Sequence, residues 1–159
     1  MDDNLLLKTI SDSSDAGAKQ TAAAGFSSKK LYRIACAAMS TAYTPYSNYN
    51  VGAALLAANE EGDLKVFTGG NVENASFGAT ICAERTAAVK AVTAGYRKFR
   101  KIAITATGEE ASPCGICRQF LSEFSDSLMV ITGPSEDEIH ETSLAALLPG
   151  SFSFEQGKK

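Results

Sequence analysis

The chain has 159 residues, with 15 Lys and Arg against 18 Asp and Glu, a formal net charge of −3, and 45% apolar and 21% charged residues. This length suits one domain around a single core, and the composition is that of an ordinary soluble globular protein. The acidic balance argues against a nucleic-acid or anionic-membrane surface, both of which want a basic face, and no apolar run approaches the ~18 residues of a membrane helix.

Residues 1–26 are polar and rich in Ser, Asp and Ala, with Leu5-Leu6-Leu7 as the apolar cluster before Phe26. Transit peptides are Arg-rich and acid-poor; this stretch has no Arg and carries Asp2, Asp3, Asp12 and Asp15. It reads as a mobile extension with room for one short docked helix, ahead of a domain over 27–154 and a tail at 155–159. Helical spacing of Leu31, Ile34, Ala35, Ala38 and Ala42 predicts a first helix over 27–43, capped by Ser27 or Ser28. Cys36 lies within it, far from the other cysteines, and reads as a small buried hydrophobe. Pro45 ends the helix in a turn-rich loop over 44–50, where Tyr46 and Tyr49 read from composition as packing residues. Residues 51–58 and 66–72 read as strands, joined by a polar loop containing Gly62. Asn71 and Glu73 stand at alternate positions near the second strand's end and so face one side. A carboxylate that accepts and an amide that donates and accepts suit a pair of sugar hydroxyls, although a polar strand end has the same composition.

A second helix is expected over 80–96, followed by Tyr96-Arg97-Lys98-Phe99-Arg100-Lys101. That basic cluster could be an RNA contact, but cations after a helix C-terminus complement its dipole, and the acidic net charge favours this plainer reading. Residues 102–107 read as the third strand, and Pro113 opens a third helix over 114–125. Arg118 and Gln119 read as exposed or interface polar residues. Strands over 128–132 and 139–142 follow; the residues between them are too few for a helical crossover, so the two should pair antiparallel. His140, the single histidine, lacks metal-ligand spacing around it and reads as a surface residue. A short capped helix over 143–148 ends at Pro149-Gly150, before Phe152 and Phe154, whose plain expectation is docking on the domain. This order of elements implies an α/β fold, a three-layer α/β/α sandwich with a mixed five-stranded sheet.

The chemistry concentrates in Cys82-Ala83-Glu84 and Cys114-Gly115-Ile116-Cys117. With no signal peptide, four cysteines point to a reducing, cytoplasmic setting, where grouped thiols bind metal or catalyse more often than they pair. A Cys-x-x-Cys pair alone is a weak signal; a third cysteine with a glutamate two residues on is stronger, because it supplies three ligands and a base. Zinc on three protein ligands keeps a fourth position open, which distinguishes catalytic from structural sites. Both clusters fall at predicted helix starts, where unpaired N–H groups and partial positive charge favour thiolate. Three thiolates on Zn²⁺ leave a formal charge of −1, which the guanidinium of Arg85 can offset.

Asn71-Val72-Glu73-Asn74-Ala75, Cys82-Ala83-Glu84-Arg85-Thr86 and Pro113-Cys114-Gly115-Ile116-Cys117-Arg118-Gln119 together resemble the short, homotetrameric zinc-dependent cytidine deaminases, and the resemblance runs from about residue 31 to 152. It implies the deaminase fold, one zinc per chain on Cys82, Cys114 and Cys117, and Glu84 as the catalytic proton carrier in hydrolytic deamination of cytidine and deoxycytidine. It further implies that Asn71 and Glu73 grip the ribose, that Ala75 offers a carbonyl to the base amino group, and that Tyr49, Phe77 and Ala83 contact substrate. Phe152 matches an aromatic that enters the neighbouring subunit's site in a homotetramer. Tyr49 and Asn50 depart from the Phe-Pro usual in the family, keeping the aromatic face and adding a hydroxyl. Three rivals remain: a deaminase of another aminopyrimidine such as blasticidin S, a polynucleotide deaminase, and a structural zinc module. The last would need a fourth ligand, for which Cys36 and His140 are the conventional candidates.

Overall fold

The computed structural model describes residues 26–108, 110–125 and 127–154. The extension expected over 1–26, with its docked helix, and the tail at 155–159 lie outside the described residues, apart from Phe26.

The elements are α1 (Ser28–Ala38), β1 (Val51–Ala58), β2 (Leu64–Gly70), α2 (Ala83–Thr93), β3 (Lys98–Ala106), α3 (Gly115–Ser122), β4 (Met129–Ser135), β5 (Glu138–Ser143) and α4 (Leu144–Leu147). The sheet runs β2-β1-β3-β4-β5. β3 and β4 pair in parallel; every other neighbouring pair is antiparallel. The mixed five-stranded sheet is therefore as the sequence implies, and β4 and β5 pair antiparallel as their short connection requires.

Alternation along β1 sorts the core into two layers. Ala53, Leu55 and Ala57 join Ile102, Ile104, Leu121 and the Ala83, Ala87, Ala88 and Ala91 face of α2. Ala54 and Leu56 face Leu31, Ile34 and Ala35 of α1. One helix thus covers one face, with α2 and α3 on the other, which makes three layers. Full burial of a side chain such as Leu55 or Ile104 contributes roughly 1.5–3 kcal/mol.

Two glycines allow the helices to lie close on the sheet. A Cβ at Gly52 would stand 2.0 Å from the carbonyl oxygen of Ala35 in α1, and one at Gly69 would stand 2.3 Å from that of Ala83 in α2. Gly69 therefore sets how closely the start of α2 approaches β2.

Several boundaries differ from the sequence reading, each for a local reason. α1 is capped by the Ser27 side chain, which accepts from the Lys30 amide, and it tightens into a 3-10 turn at Met39–Thr41. β2 ends at Gly70, because Val72 leaves the sheet to bridge Tyr43 on one side and Ile81 on the other. The same bridge holds Ile81 extended, so α2 starts at Ala83 rather than at residue 80. β3 begins at Lys98, inside the basic cluster: Phe99 is fully buried while Lys98 and Arg100 point outward. Lys98 pairs with Glu60 at 2.7 Å, and Lys101 donates to the Ser28 hydroxyl at 3.2 Å. Pro113 precedes the N-cap Cys114 rather than opening the helix itself, and α3 ends at Ser122.

Candidate active site

The site is assembled by backbone pairing around residues 71–73. On one side the Tyr43 amide donates to the Asn71 carbonyl and the Glu73 amide to the Tyr43 carbonyl, both at 2.8 Å. On the other, Val72 and Ile81 exchange two bonds at 2.9 and 3.0 Å. This ladder places the end of β2 beside the residue preceding Cys82.

Cys82 and Cys114 are the N-cap residues of α2 and α3, and neither side chain caps its own helix. Their sulfurs turn toward each other instead, 3.8 Å apart. With Cys117, from the first turn of α3, the three sulfurs all lie within 4.8 Å of one another. Tetrahedral zinc with Zn–S bonds near 2.3 Å needs sulfurs about 3.8 Å apart, so the donor set fits after a small contraction. Among the described residues, the His, Cys, Asp and Glu group that could hold a metal comprises these three thiols. Neither candidate fourth ligand joins them. Cys36 packs beside the α1 core layer, and His140 lies 3.0 Å from Glu110.

The electrostatics favour thiolate at Cys82 and oppose it at Cys117. Hydrogen bonding with Cys117 draws the Cys82 thiol down to about 5, against burial and with help from Arg85 and Cys114. The bond to Cys82, together with burial and the Glu84 carboxylate, pushes Cys117 up. Burial opposes charge on Arg85, but contacts to Cys82 and Cys117 raise its pKa overall. Its Nη2 donates to the Thr80 carbonyl at 3.0 Å, while its buried Nε has no hydrogen-bond partner. A guanidinium with an unspent donor beside two sulfurs suits an anionic thiolate cluster.

Glu84 stands in the first turn of α2, only 4% exposed. Burial pushes its carboxyl up to about 6, opposed by a backbone hydrogen bond and reinforced by charge on Cys82. A carboxyl in this range accepts and returns a proton near neutral pH.

The rim is built differently. Asn71 is buried, and its amide is engaged with backbone: Oδ1 accepts from Val51 N and Nδ2 donates to Tyr49 O, both at 2.9 Å. Each amide atom retains capacity for one more bond. Glu73 accepts from the amides of Tyr46 at 3.0 Å and Ser47 at 3.2 Å and from the Ser47 hydroxyl. The hydroxyl bond, with the two amide bonds and against slight desolvation, holds the carboxyl below its ordinary range. Tyr49, Ala75 and Phe77 are exposed, Phe77 strongly so, and Ala83 is fully buried at the start of α2. Phe152 is exposed, not docked as the plain expectation had it, with its ring edge-on to Phe154 at 5.2 Å.

Comparison with known proteins agrees with this geometry. Residues 27–132 match the sequence model of the cytidine and deoxycytidylate deaminase zinc-binding region. The chain belongs to this family. A cytidine deaminase of Sporosarcina psychrophila is 46% identical over 129 residues, covering 80% of this chain and 92% of that protein. A probable cytidine deaminase of Dictyostelium discoideum is 47% identical over 116 residues, covering 72% of this chain and 76% of that one. Among solved structures, the cytidine deaminase of Burkholderia pseudomallei superposes with a TM-score of 0.71 at 44% identity, covering 80% of this chain and 100% of that one.

Two residues of the family motif do more than the sequence reading assigned. Arg118 donates to the carbonyls of Pro113 at 2.7 Å and Leu147 at 2.9 Å, tying the thiol loop to α4. Gln119 pairs with both backbone groups of Phe152. Their partners lie far along the chain, so the signal available in the sequence was the Arg-Gln pair within the motif, without its contacts.

Proposed function

We propose that this chain hydrolyses cytidine and deoxycytidine to the uracil nucleosides and ammonia, with one zinc per chain. The observation that carries the reading is the meeting of Cys82, Cys114 and Cys117 beside the buried Glu84 at two helix starts. The cytidine deaminases of Sporosarcina psychrophila and Burkholderia pseudomallei named above support it. The three cysteines would hold the zinc, which when bound lowers the pKa of a coordinated water toward ~7. Glu84 takes a proton from the attacking water as its oxygen bonds to C4, and passes that proton to ring N3. It then carries the second proton to the exocyclic amine, the C4–N bond breaks, and ammonia leaves. Water and nucleoside are consumed in equal number, and no redox partner is needed. Zinc deaminases of bases in general use this division of labour between metal and glutamate.

Asn71 and Glu73 would bind the ribose hydroxyls through their remaining hydrogen-bonding capacity, and the ionised Glu73 disfavours a phosphate nearby. The Ala75 carbonyl would meet the base amino group, with Tyr49, Phe77 and Ala83 around the ring. A homotetramer in which Phe152 enters a neighbouring site completes the reading, supported by the exposed rings of Phe77, Phe152 and Phe154. Four unpaired thiols suit a reducing, cytoplasmic setting, and no helix among the described residues is long and apolar enough to cross a membrane.

Ultraviolet absorbance of cytidine incubated with zinc-quantified protein tests the reading, with cytosine and CMP in parallel. Loss of the cytidine band with little change for base or nucleotide is the expected result. No turnover at full zinc would move the assignment to another aminopyrimidine substrate or to a structural metal.

A further inference from the structure

Gln119 lies in α3, the helix whose N-cap is Cys114 and whose first turn holds Cys117. Its Nε2 donates to the Phe152 carbonyl at 2.8 Å, and its Oε1 accepts from the Phe152 amide at 3.1 Å. Such a reciprocal pair resembles one rung of an antiparallel ladder, and it fixes the orientation of the backbone at a single residue. Ser122 steadies the clamp: its hydroxyl donates to the Gln119 carbonyl at 2.8 Å and lies 3.5 Å from Nε2. Phe152 is 64% exposed, so burial within its own chain does not hold it. Within the described chain the ring meets Phe154 edge-on at 5.2 Å, and the Gln119 pair fixes the backbone from which it projects. The adjacent Arg118 binds the Leu147 carbonyl and so anchors the start of the same C-terminal segment. One short helix with its N-cap therefore carries two of the thiols and also holds the backbone of the exposed Phe152.

We propose that Gln119 is a positioning residue for substrate binding, acting through the backbone of Phe152 to hold its ring where it covers the base. The proposal rests on the reading above that Phe152 enters a neighbouring subunit's site. It makes Gln119 of one chain a determinant of affinity in another, without contact to substrate.

The test compares the zinc-loaded full chain with Gln119→Met, Phe152→Ala and the double variant. Zinc content, kcat and KM for cytidine are measured, with hydrogen exchange at the Phe152 amide. Methionine keeps the side-chain length and removes both bonds. Gln119→Met is expected to raise KM by about three- to tenfold, the range an aromatic contact provides. It should leave zinc content and kcat near wild type and speed exchange at the Phe152 amide. Phe152→Ala should raise KM at least as much, and the double variant should match Phe152→Ala alone, because both changes act through one contact. Gln119→Glu, which keeps the acceptor and loses the donor, should also raise KM and serves if the methionine variant folds poorly. An unchanged KM in the Gln119 variants beside a raised KM in Phe152→Ala would overturn the role of Gln119 and leave that of Phe152 standing. Additive effects in the double variant, or unchanged amide exchange, would likewise overturn it. An unchanged KM in Phe152→Ala would remove the reading of Phe152 and the proposal with it.

Discussion

The thiol corner and the rim around it are built by opposite means. In the corner, the reactive side chains are kept out of local backbone bonding: Cys82 and Cys114 sit at N-cap positions without capping their helices. Their atoms stay available to one another, to Arg85 and to a metal. On the rim, polar side chains are spent on the chain itself: Asn71 bridges Tyr49 and Val51, and Glu73 closes the Tyr46-Ser47 turn. The corner holds reactive groups in a fixed arrangement, and the rim uses polar groups to fix loops that surround them. Substitutions in the corner should therefore abolish chemistry with little effect on folding, whereas those on the rim should loosen the binding surface.

The largest effect is expected at Glu84. Glu84→Gln keeps the size of the side chain and removes the proposed proton carrier, so turnover should fall by about 10³-fold or more, with one zinc per chain retained. Full activity in this variant would break the distinction between the two regions. Gly69→Val comes next, because a Cβ there meets the Ala83 backbone at 2.3 Å. Displacing the start of α2 should cost about 1–3 kcal/mol in thermal or urea unfolding and reduce zinc content as well. A stable variant with full zinc would show that the approach of α2 to β2 does not position the corner.

Chelation sharpens the contrast between thiols. The lowered Cys82 thiol ionises at neutral pH, whereas burial pushes Cys36 up. Iodoacetamide at pH 7 after zinc removal should modify Cys82 before Cys36, since thiolate is the nucleophile. Added zinc should protect Cys82, and peptide mapping by mass spectrometry reads both outcomes. Equal labelling would show that the corner does not activate its thiol.

The smallest effect concerns Glu73. Its folded pKa lies below the ordinary carboxylate value, so its stabilisation is present above the unfolded pKa of about 4.3 and is lost as pH falls through the lower folded value. The difference in thermal midpoint between wild type and Glu73→Gln should persist at neutral pH and close under acid conditions below pH 4. A difference that stays constant across that range would mean the 46–47 turn is not held by charge.

The corner was legible in the sequence because it depends on residue type at short spacing: the cysteines of Cys-Ala-Glu and Pro-Cys-x-x-Cys meet as one group of three thiols beside Glu84. β1 was equally plain, since a continuous apolar run of strand length admits little else, and it spans Val51–Ala58 as read. The start of β3 was hidden because Lys98, Phe99 and Arg100 read as a basic cluster after a helix, while the fold uses their alternation to bury Phe99. The start of α2 was misplaced because the pairing of Ile81 with Val72 is a tertiary contact that local propensity does not encode. The same holds for Gly69, whose need for a missing Cβ appears only when α2 lies on the sheet, and for Gln119, whose partner is Phe152.

Zinc-edge X-ray absorption of the purified protein tests most directly whether the three thiols form a catalytic zinc site with an open position. Three sulfur neighbours and one lighter atom per zinc is the predicted result. Four sulfur neighbours would contradict it and make the corner a structural clamp.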